Sequence, residues 1–153
     1  MLSRSTEYAL RAMTCVARVG RRISVGEIAE ATQVPARYLA KVMQGLGRAG
    51  LVTSTRGRTG GFVLSRPPSE VTILEIVTAV DPIQRICKCP LDLPEHKDQL
   101  CALHSRVDDA LAHVEKAFER SSLADILADP GPHWPLGDPT TGESHEAENH
   151  PDR

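Results

Sequence analysis

Ser24-Val-Gly-Glu-Ile-Ala-Glu-Ala-Thr-Gln-Val-Pro-Ala-Arg-Tyr-Leu-Ala-Lys-Val-Met-Gln44 and, a short step downstream, Arg56-Gly-Arg-Thr-Gly-Gly-Phe62 are the stretches whose reading decides the fold. Ser24 and Glu27 have the spacing of a capping box, in which the hydroxyl takes an orphan backbone N–H and the carboxylate reaches back to the cap. A short helix follows, with Ile28 and Ala29 inward. Thr32-Gln-Val34 breaks it, and Pro35 suits a first helical position that has no use for an N–H. The next helix runs to about Gly47, with Leu39, Val42, Met43 and Leu46 at the spacing of a buried stripe. Its other face carries Ala36, Arg37, Ala40, Lys41, Gln44 and Arg48. A strand over Leu51 to Thr55, the Gly/Arg-rich turn and a strand over Phe62 to Ser65 then form a β-hairpin with a basic tip.

Working outward, an opening helix spans about Ser5 to Val19, with Tyr8, Ala9, Ala12, Met13 and Val16 on one face and Gly20 as its stop. On the other side, Thr72 and Glu75 repeat the capping-box spacing before Ile73, Ile76, Val77 and Val80. Residues 81 to 103 read as irregular. A long helix from about His104 to Arg120 carries Val107, Leu111, Val114 and Phe118 in a narrow stripe that suits packing along another helix. Ser122 and Asp125 suit the cap of a last short helix. From Asp129 onward Pro, Gly, Asp, Glu, His and Thr dominate, and a disordered acidic tail is expected. The organisation expected is residues 1–66 for the first three helices and the hairpin, 67–128 for the cysteine loop and the helices around it, and 129–153 for the tail.

Charge separates these parts. The net charge of −2 hides eleven Arg/Lys against three Asp/Glu in residues 1–66, a balance of +8, and a balance of −10 in the remainder. A basic front half points to a polyanionic partner. The fold class expected is mainly α with a small β-hairpin wing: a winged helix-turn-helix followed by a long C-terminal helix. A helix enters the major groove when its leading face is slim and can donate to base edges and phosphates, which Arg37, Lys41 and Gln44 satisfy. Glycines in the wing let the backbone approach the sugar-phosphate chain, and Arg56 and Arg58 can reach phosphates or the minor groove. Either feature alone would describe a solvated helix face or a plain loop. Their order and the charge balance together favour double-stranded DNA.

No run of about 18 or more apolar residues is present, so no membrane span is expected, and the N-terminus lacks a signal-peptide pattern; a cytoplasmic protein is expected. Enzyme readings lack support: there is no Cys-X-X-Cys for a thiol oxidoreductase, no Gly-rich nucleotide loop after a strand, and no recognisable Ser/His/Asp set.

Thr6-Glu-Tyr-Ala-Leu-Arg11, Ser24-Val-Gly-Glu-Ile-Ala29, Tyr38-Leu-Ala-Lys-Val-Met-Gln-Gly-Leu46, Ala49-Gly-Leu-Val52, Ser54-Thr-Arg-Gly57 with Gly60-Gly-Phe62, and Thr72-Ile-Leu-Glu-Ile76 resemble the IscR/NsrR-like (Rrf-type) family of winged helix-turn-helix transcriptional regulators. The resemblance covers roughly residues 1 to 120. It implies a homodimer held by the long helix and a palindromic operator, and it adds Tyr38 and Gly60 to Arg37, Lys41, Gln44, Arg56 and Arg58 as DNA-binding positions.

Cys87, Cys89 and Cys101 cluster within fifteen residues, whereas Cys15 lies on the first helix and reads as a small buried hydrophobe. In a cytoplasmic protein such a cluster is more often a metal or redox site than a disulfide staple. The family resemblance implies an iron–sulfur cluster, [2Fe–2S], on loop cysteines. Cys89 and Cys101 match the first and last of them, His104 matches a histidine found after the last in some members, and Glu7 matches a carboxylate supplied by the partner subunit. The family's middle cysteine falls at Glu95, beside His96, and Cys87 is an alternative thiol one residue off register. Three readings stay open: a cluster, a cluster-free thiol switch, and zinc or no cofactor. Glu7 also suits the positive end of its helix, and His104 the start of the long helix with no ligand role. A regulator gated by a small molecule or protein partner is the alternative without a cluster.

Overall fold

The computed structural model describes residues 2–57, 60–90 and 99–128. Helix α1 (Arg4–Val19) starts where the Ser3 hydroxyl accepts the Thr6 N–H at 3.2 Å. It stops at Gly20, whose φ of 64° lies in the left-handed region that glycine adopts at no steric cost. Helix α2 (Val25–Thr32) has the full capping box: Ser24 Oγ accepts the Glu27 N–H at 3.2 Å, and the Glu27 carboxylate accepts the Ser24 N–H at 2.8 Å. Helix α3 (Ala36–Arg48) differs at its start from the sequence reading. Pro35 stands at the cap, outside the first turn, with ψ of 127°, and its carbonyl accepts the N–H groups of Tyr38 and Leu39. The proline still costs nothing there, because a cap residue also has no intrahelical N–H bond to lose.

Strands β1 (Val52–Thr55) and β2 (Gly61–Leu64) form an antiparallel pair in the register Val52↔Leu64 to Thr55↔Gly61. A third segment joins them. Ile23, between α1 and α2, exchanges two backbone hydrogen bonds with Phe62 at 3.0 and 2.8 Å. Ile23 carries no strand signal in the sequence, since a one-residue bridge has no alternating pattern to betray it. A 3₁₀ turn (Pro68–Glu70) leads to α4 (Ile73–Val80), again with a complete capping box, from Thr72 and Glu75. The long helix α5 spans Ala102–Glu119, two residues ahead of the expected start, and α6 spans Leu123–Ala128.

One hydrophobic cluster holds these elements together. Met13 and Val16 of α1, Ile28 of α2, Leu39, Met43 and Leu46 of α3, Ile76 and Val77 of α4 and Leu123 of α6 are all essentially inaccessible. Burial of side chains of this size contributes about 1.5–3 kcal/mol each. Helix α6 is stitched back by Leu123 N–H to Val71 O and Ile73 N–H to Ser121 O. Helix α5 is the exception: none of its residues is buried, and Leu103, Val107 and Val114 are 67%, 41% and 41% exposed. The expected tail, 129–153, lies outside the described residues.

Candidate nucleic-acid interface and cysteine loop

The amphipathicity of α3 puts its four buried residues on one side. Arg37, Lys41, Gln44 and Arg48, following one another at four-, three- and four-residue steps, lie opposite and are all exposed. This forms one donor-rich ridge. Tyr38 sits on the flank of that ridge: its ring is 49% exposed, lies 6.3 Å from the ring of Tyr8, and has the Arg37 guanidinium carbon 4.8 Å above it. A stacked arginine keeps its donors while losing rotamer freedom, so Tyr38 props Arg37 outward.

Between α3 and the hairpin runs a cleft of about 760 Å³, lined by Ala40, Gln44, Gly47 and Arg48 on the helix and by Thr53, Ser54, Phe62 and Ser65 on the wing. A second concavity, of about 360 Å³, lies on the other flank of α3 and includes Ser5, Tyr8, Tyr38, Lys41 and Arg48. Arg48 borders both. In the sequence Arg48 lies on the basic face with nothing to mark it as a contact, because its place at the last helical residue gives no sign that two clefts meet there.

The wing is held by close backbone approaches that only glycine permits. A Cβ on Gly60 would lie 2.4 Å from the Thr55 carbonyl oxygen, and one on Gly61 would lie 2.5 Å from that of Ile23. Gly60 thus belongs to the wing's own architecture, its N–H bonding Gly57 O at 2.9 Å. Arg56 is exposed at the tip. Arg58, the other arginine predicted at the tip, lies outside the described residues.

The cysteine positions divide sharply. Cys15 is fully inaccessible within α1, and burial pushes its thiol up against a smaller downward pull from Arg18. Cys87 is exposed, Cys89 is 8% exposed and Cys101 is half-buried. Cys101 caps α5, and its Sγ lies 3.3 Å from Nδ1 of His104 one turn on, so these two candidate ligands are brought together. Glu7 is in the first turn of α1 and pairs with Arg11 at 2.9 Å. Among the described residues, no three His, Cys, Asp or Glu side chains gather where one ion could be held. Glu95 and His96 lie outside those residues.

The segment carrying Cys87 and Cys89 is tied to α5 just before the first of them. Arg85 grips Asp108 with Nε at 2.7 Å and Nη2 at 2.6 Å, and reaches Glu115 with Nη1 at 3.0 Å. The same Asp108 carboxylate accepts the Ile86 N–H at 2.8 Å. The Arg85 hydrogen bonds, followed by the Ile86 N–H, hold the Asp108 carboxyl down at about 2, below its ordinary value. Among the described residues no helix is long and apolar enough to cross a membrane.

Comparison with known proteins agrees with this architecture. A family model described as Rrf2, iron-dependent transcriptional regulator, matches residues 2–129. The chain belongs to the Rrf2 family. Like other Rrf2 proteins it is a transcriptional regulator, not an enzyme, and the family resemblance seen in the sequence holds over nearly the whole of the described fold. The structure of IscR from T. potens is 25% identical, with a TM-score of 0.70 over 86% of this chain and 88% of that one. CymR, the global cysteine regulator of B. subtilis, is 26% identical, with a TM-score of 0.69 over 84% of this chain and 96% of that one. A regulator from Listeria innocua, 23% identical with a TM-score of 0.68 over 95% and 96%, shares the fold.

Proposed function

We propose that this Rrf2 regulator works as a homodimer that binds a palindromic operator and adjusts its affinity through the cysteine loop, in response to redox, iron or nitric oxide state. The observation that carries the DNA-reading part is the exposed ridge Arg37–Lys41–Gln44–Arg48 on α3, set beside a wing pinned at Ile23 and Phe62. Arg37, Lys41, Gln44 and Arg48 read or position the major groove, with Tyr38 supporting Arg37. Arg56 and Arg58 engage phosphates or the minor groove, and Gly60 lets the wing backbone turn closely enough to do so. Functionally, residues 1–66 read, 67–128 sense and pair, and 129–153 form an acidic extension.

Helix α5 supplies the dimer contact. Its apolar stripe is only partly covered within one chain, Leu111 and Phe118 being partly buried while Val107 and Val114 stay exposed, and a second copy with the same stripe would cover the rest. Two reading heads also supply the contact area that one winged module lacks for selective binding.

For the loop, the donor chemistry fits an iron–sulfur cluster: thiolates of Cys89 and Cys101 and the imidazole of His104, with Glu7 of the partner subunit completing the set and Cys87 as an alternative. The 3.3 Å pairing of Cys101 with His104 supports this set. A bound cluster would supply an oxidisable, iron-dependent centre. The chain's own residues then transmit: Cys101 and His104 form the first turn of α5, so a change in what they hold alters the start of the dimer helix and the spacing of the two reading heads.

Two measurements test the proposal. Titration of a labelled mixed-sequence duplex at increasing salt should give a steep loss of affinity, as phosphate contacts require; salt-independent binding would reject the reading surface. An absorbance spectrum of anaerobically purified protein, with iron and acid-labile sulfide assayed on the same sample, should show visible bands with matching iron and sulfide. Colourless protein that remains so after reconstitution would reject the cluster, leaving thiol oxidation or zinc for the loop.

A further inference from the structure

Residues 82–90 belong to no helix or strand, yet one short piece of them is gripped by α5 from three directions. Arg85 meets Asp108 through two parallel hydrogen bonds, adds Glu115 two turns further along, and Ile86 gives its N–H to the same Asp108. Asp108 and Glu115 share the face of α5 that carries His104, and Asp108 follows His104 by about 6 Å of helix axis. The grip therefore sits next to the candidate ligand pair and immediately precedes Cys87. Past the grip the two strap thiols differ: Cys87 is exposed and Cys89 is buried.

We propose that Arg85 and Asp108 form a latch that closes the cysteine strap onto α5 and controls access to the Cys89 thiol. The inference rests on the reading of this loop as the sensing part, but it concerns the chain's own geometry. Two physical features distinguish the latch from an ordinary surface ion pair. A fork-to-fork arginine–carboxylate contact fixes direction as well as distance, and the shared Asp108 carboxylate also holds strap backbone, so Asp108 anchors both attachments while Arg85 supplies the charged one. All three side chains keep part of their surface in water, with 35%, 19% and 27% exposure for Arg85, Asp108 and Glu115. None of the three latch side chains belongs to the hydrophobic cluster, and Ile83 and Phe118, which pack at its edge, lie outside the latch, so the latch can open with the cluster's fully buried members in place. Arg85 and Asp108 are positioning residues: they touch no ligand, and they set which thiol a reagent or metal meets first.

The test is pulsed alkylation of the full-length reduced chain with iodoacetamide, in the presence of a chelator so that bound metal masks no thiol, with each cysteine followed by peptide mass spectrometry. In the parent protein Cys87 should label fast, Cys89 slowly and Cys15 slowest. Arg85→Gln should raise the Cys89 rate roughly tenfold or more, as expected when a local closing contact is lost, with Cys87 and Cys15 unchanged. Asp108→Asn, which keeps an acceptor for the Ile86 N–H but loses the charge, should give a smaller rise. Arg106→Gln, an equal loss of charge on α5 outside the latch, should leave Cys89 at the parent rate. Unchanged Cys89 labelling in Arg85→Gln would overturn the latch. So would a parallel rise at Cys15, which would mean that the ion pair supports the whole fold instead of the strap. Neither readout requires a cluster or DNA, so failure here is distinct from failure of the functional reading above.

Discussion

Gly61→Ala tests the wing without touching a charge. A Cβ at this position would fall 2.5 Å from the Ile23 carbonyl oxygen and 2.8 Å from its carbon. Both are backbone atoms, so no side-chain rotation relieves the clash. Either β2 moves away from the α1–α2 connection or that connection gives way. The neighbouring Ile23–Phe62 bridge consists of two backbone hydrogen bonds, at 3.0 and 2.8 Å. With each worth about 0.5–1.5 kcal/mol net, losing both costs about 1–3 kcal/mol. For a chain of this size that lowers the melting temperature by roughly 2–12 °C. Ile23 is one member of the core cluster and Phe62 packs at its edge, but most of the cluster comes from the helices, so the variant should remain folded, with the helical circular dichroism of the parent. Its wing, however, no longer stands at a fixed place beside α3, and duplex affinity at fixed salt should fall by more than stability alone accounts for in a protein still folded. Thermal melts at matched protein concentration and fluorescence titration of duplex provide the assay. Parent-like melting together with parent-like affinity would refute the claim that the bridge positions the wing.

Three further outcomes are expected. Arg56→Ala should weaken binding about equally for all duplex sequences and reduce the slope of log affinity against log salt by about one, whereas an unchanged slope would remove Arg56 from the phosphate contacts. Under the proposed homodimer, the parent should sediment as a dimer and Val107→Glu with Val114→Glu as a monomer in analytical ultracentrifugation, with the helical content retained; a dimer persisting in the variant would move the subunit interface away from the α5 stripe. For Glu75, partial burial raises its pKa, but the Thr72 backbone N–H and the Arg66 guanidinium outweigh it, so the carboxyl sits below its ordinary value. Its stabilising contribution is present above the ordinary carboxylate range and is lost as pH falls through the lowered value. Glu75→Gln should therefore be destabilised at neutral pH and lose less further stability on acidification than the parent, measured by urea unfolding across that range.

Much of this fold was legible because its signals are local. Capping boxes at Ser24/Glu27 and Thr72/Glu75 are closed within four residues, and the α3 stripe follows from helical periodicity alone. The exposed face of α3 is legible for the same reason: once Leu39, Val42, Met43 and Leu46 go inward, Arg37, Lys41, Gln44 and Arg48 have only the opposite side. The position of Pro35 was one step off, since a first-turn residue and a cap residue both spare the N–H that proline lacks.

What the sequence by itself determined, then, is the order and type of the elements, the basic exposed face of α3 and the closeness along the chain of three thiols ahead of the long helix. Each rests on spacing along the chain. What only the tertiary structure decided are relations between residues far apart in sequence: Ile23 completing the wing against Phe62, Arg48 standing where two clefts meet, Arg37 stacked on Tyr38, and Arg85 reaching Asp108 and Glu115. It also separated the thiols, burying Cys89 while leaving Cys87 exposed two residues away. These contacts depend on how packed helices set distances between surfaces, and a one-dimensional pattern of charge and hydrophobicity carries no record of which surface an arginine will meet.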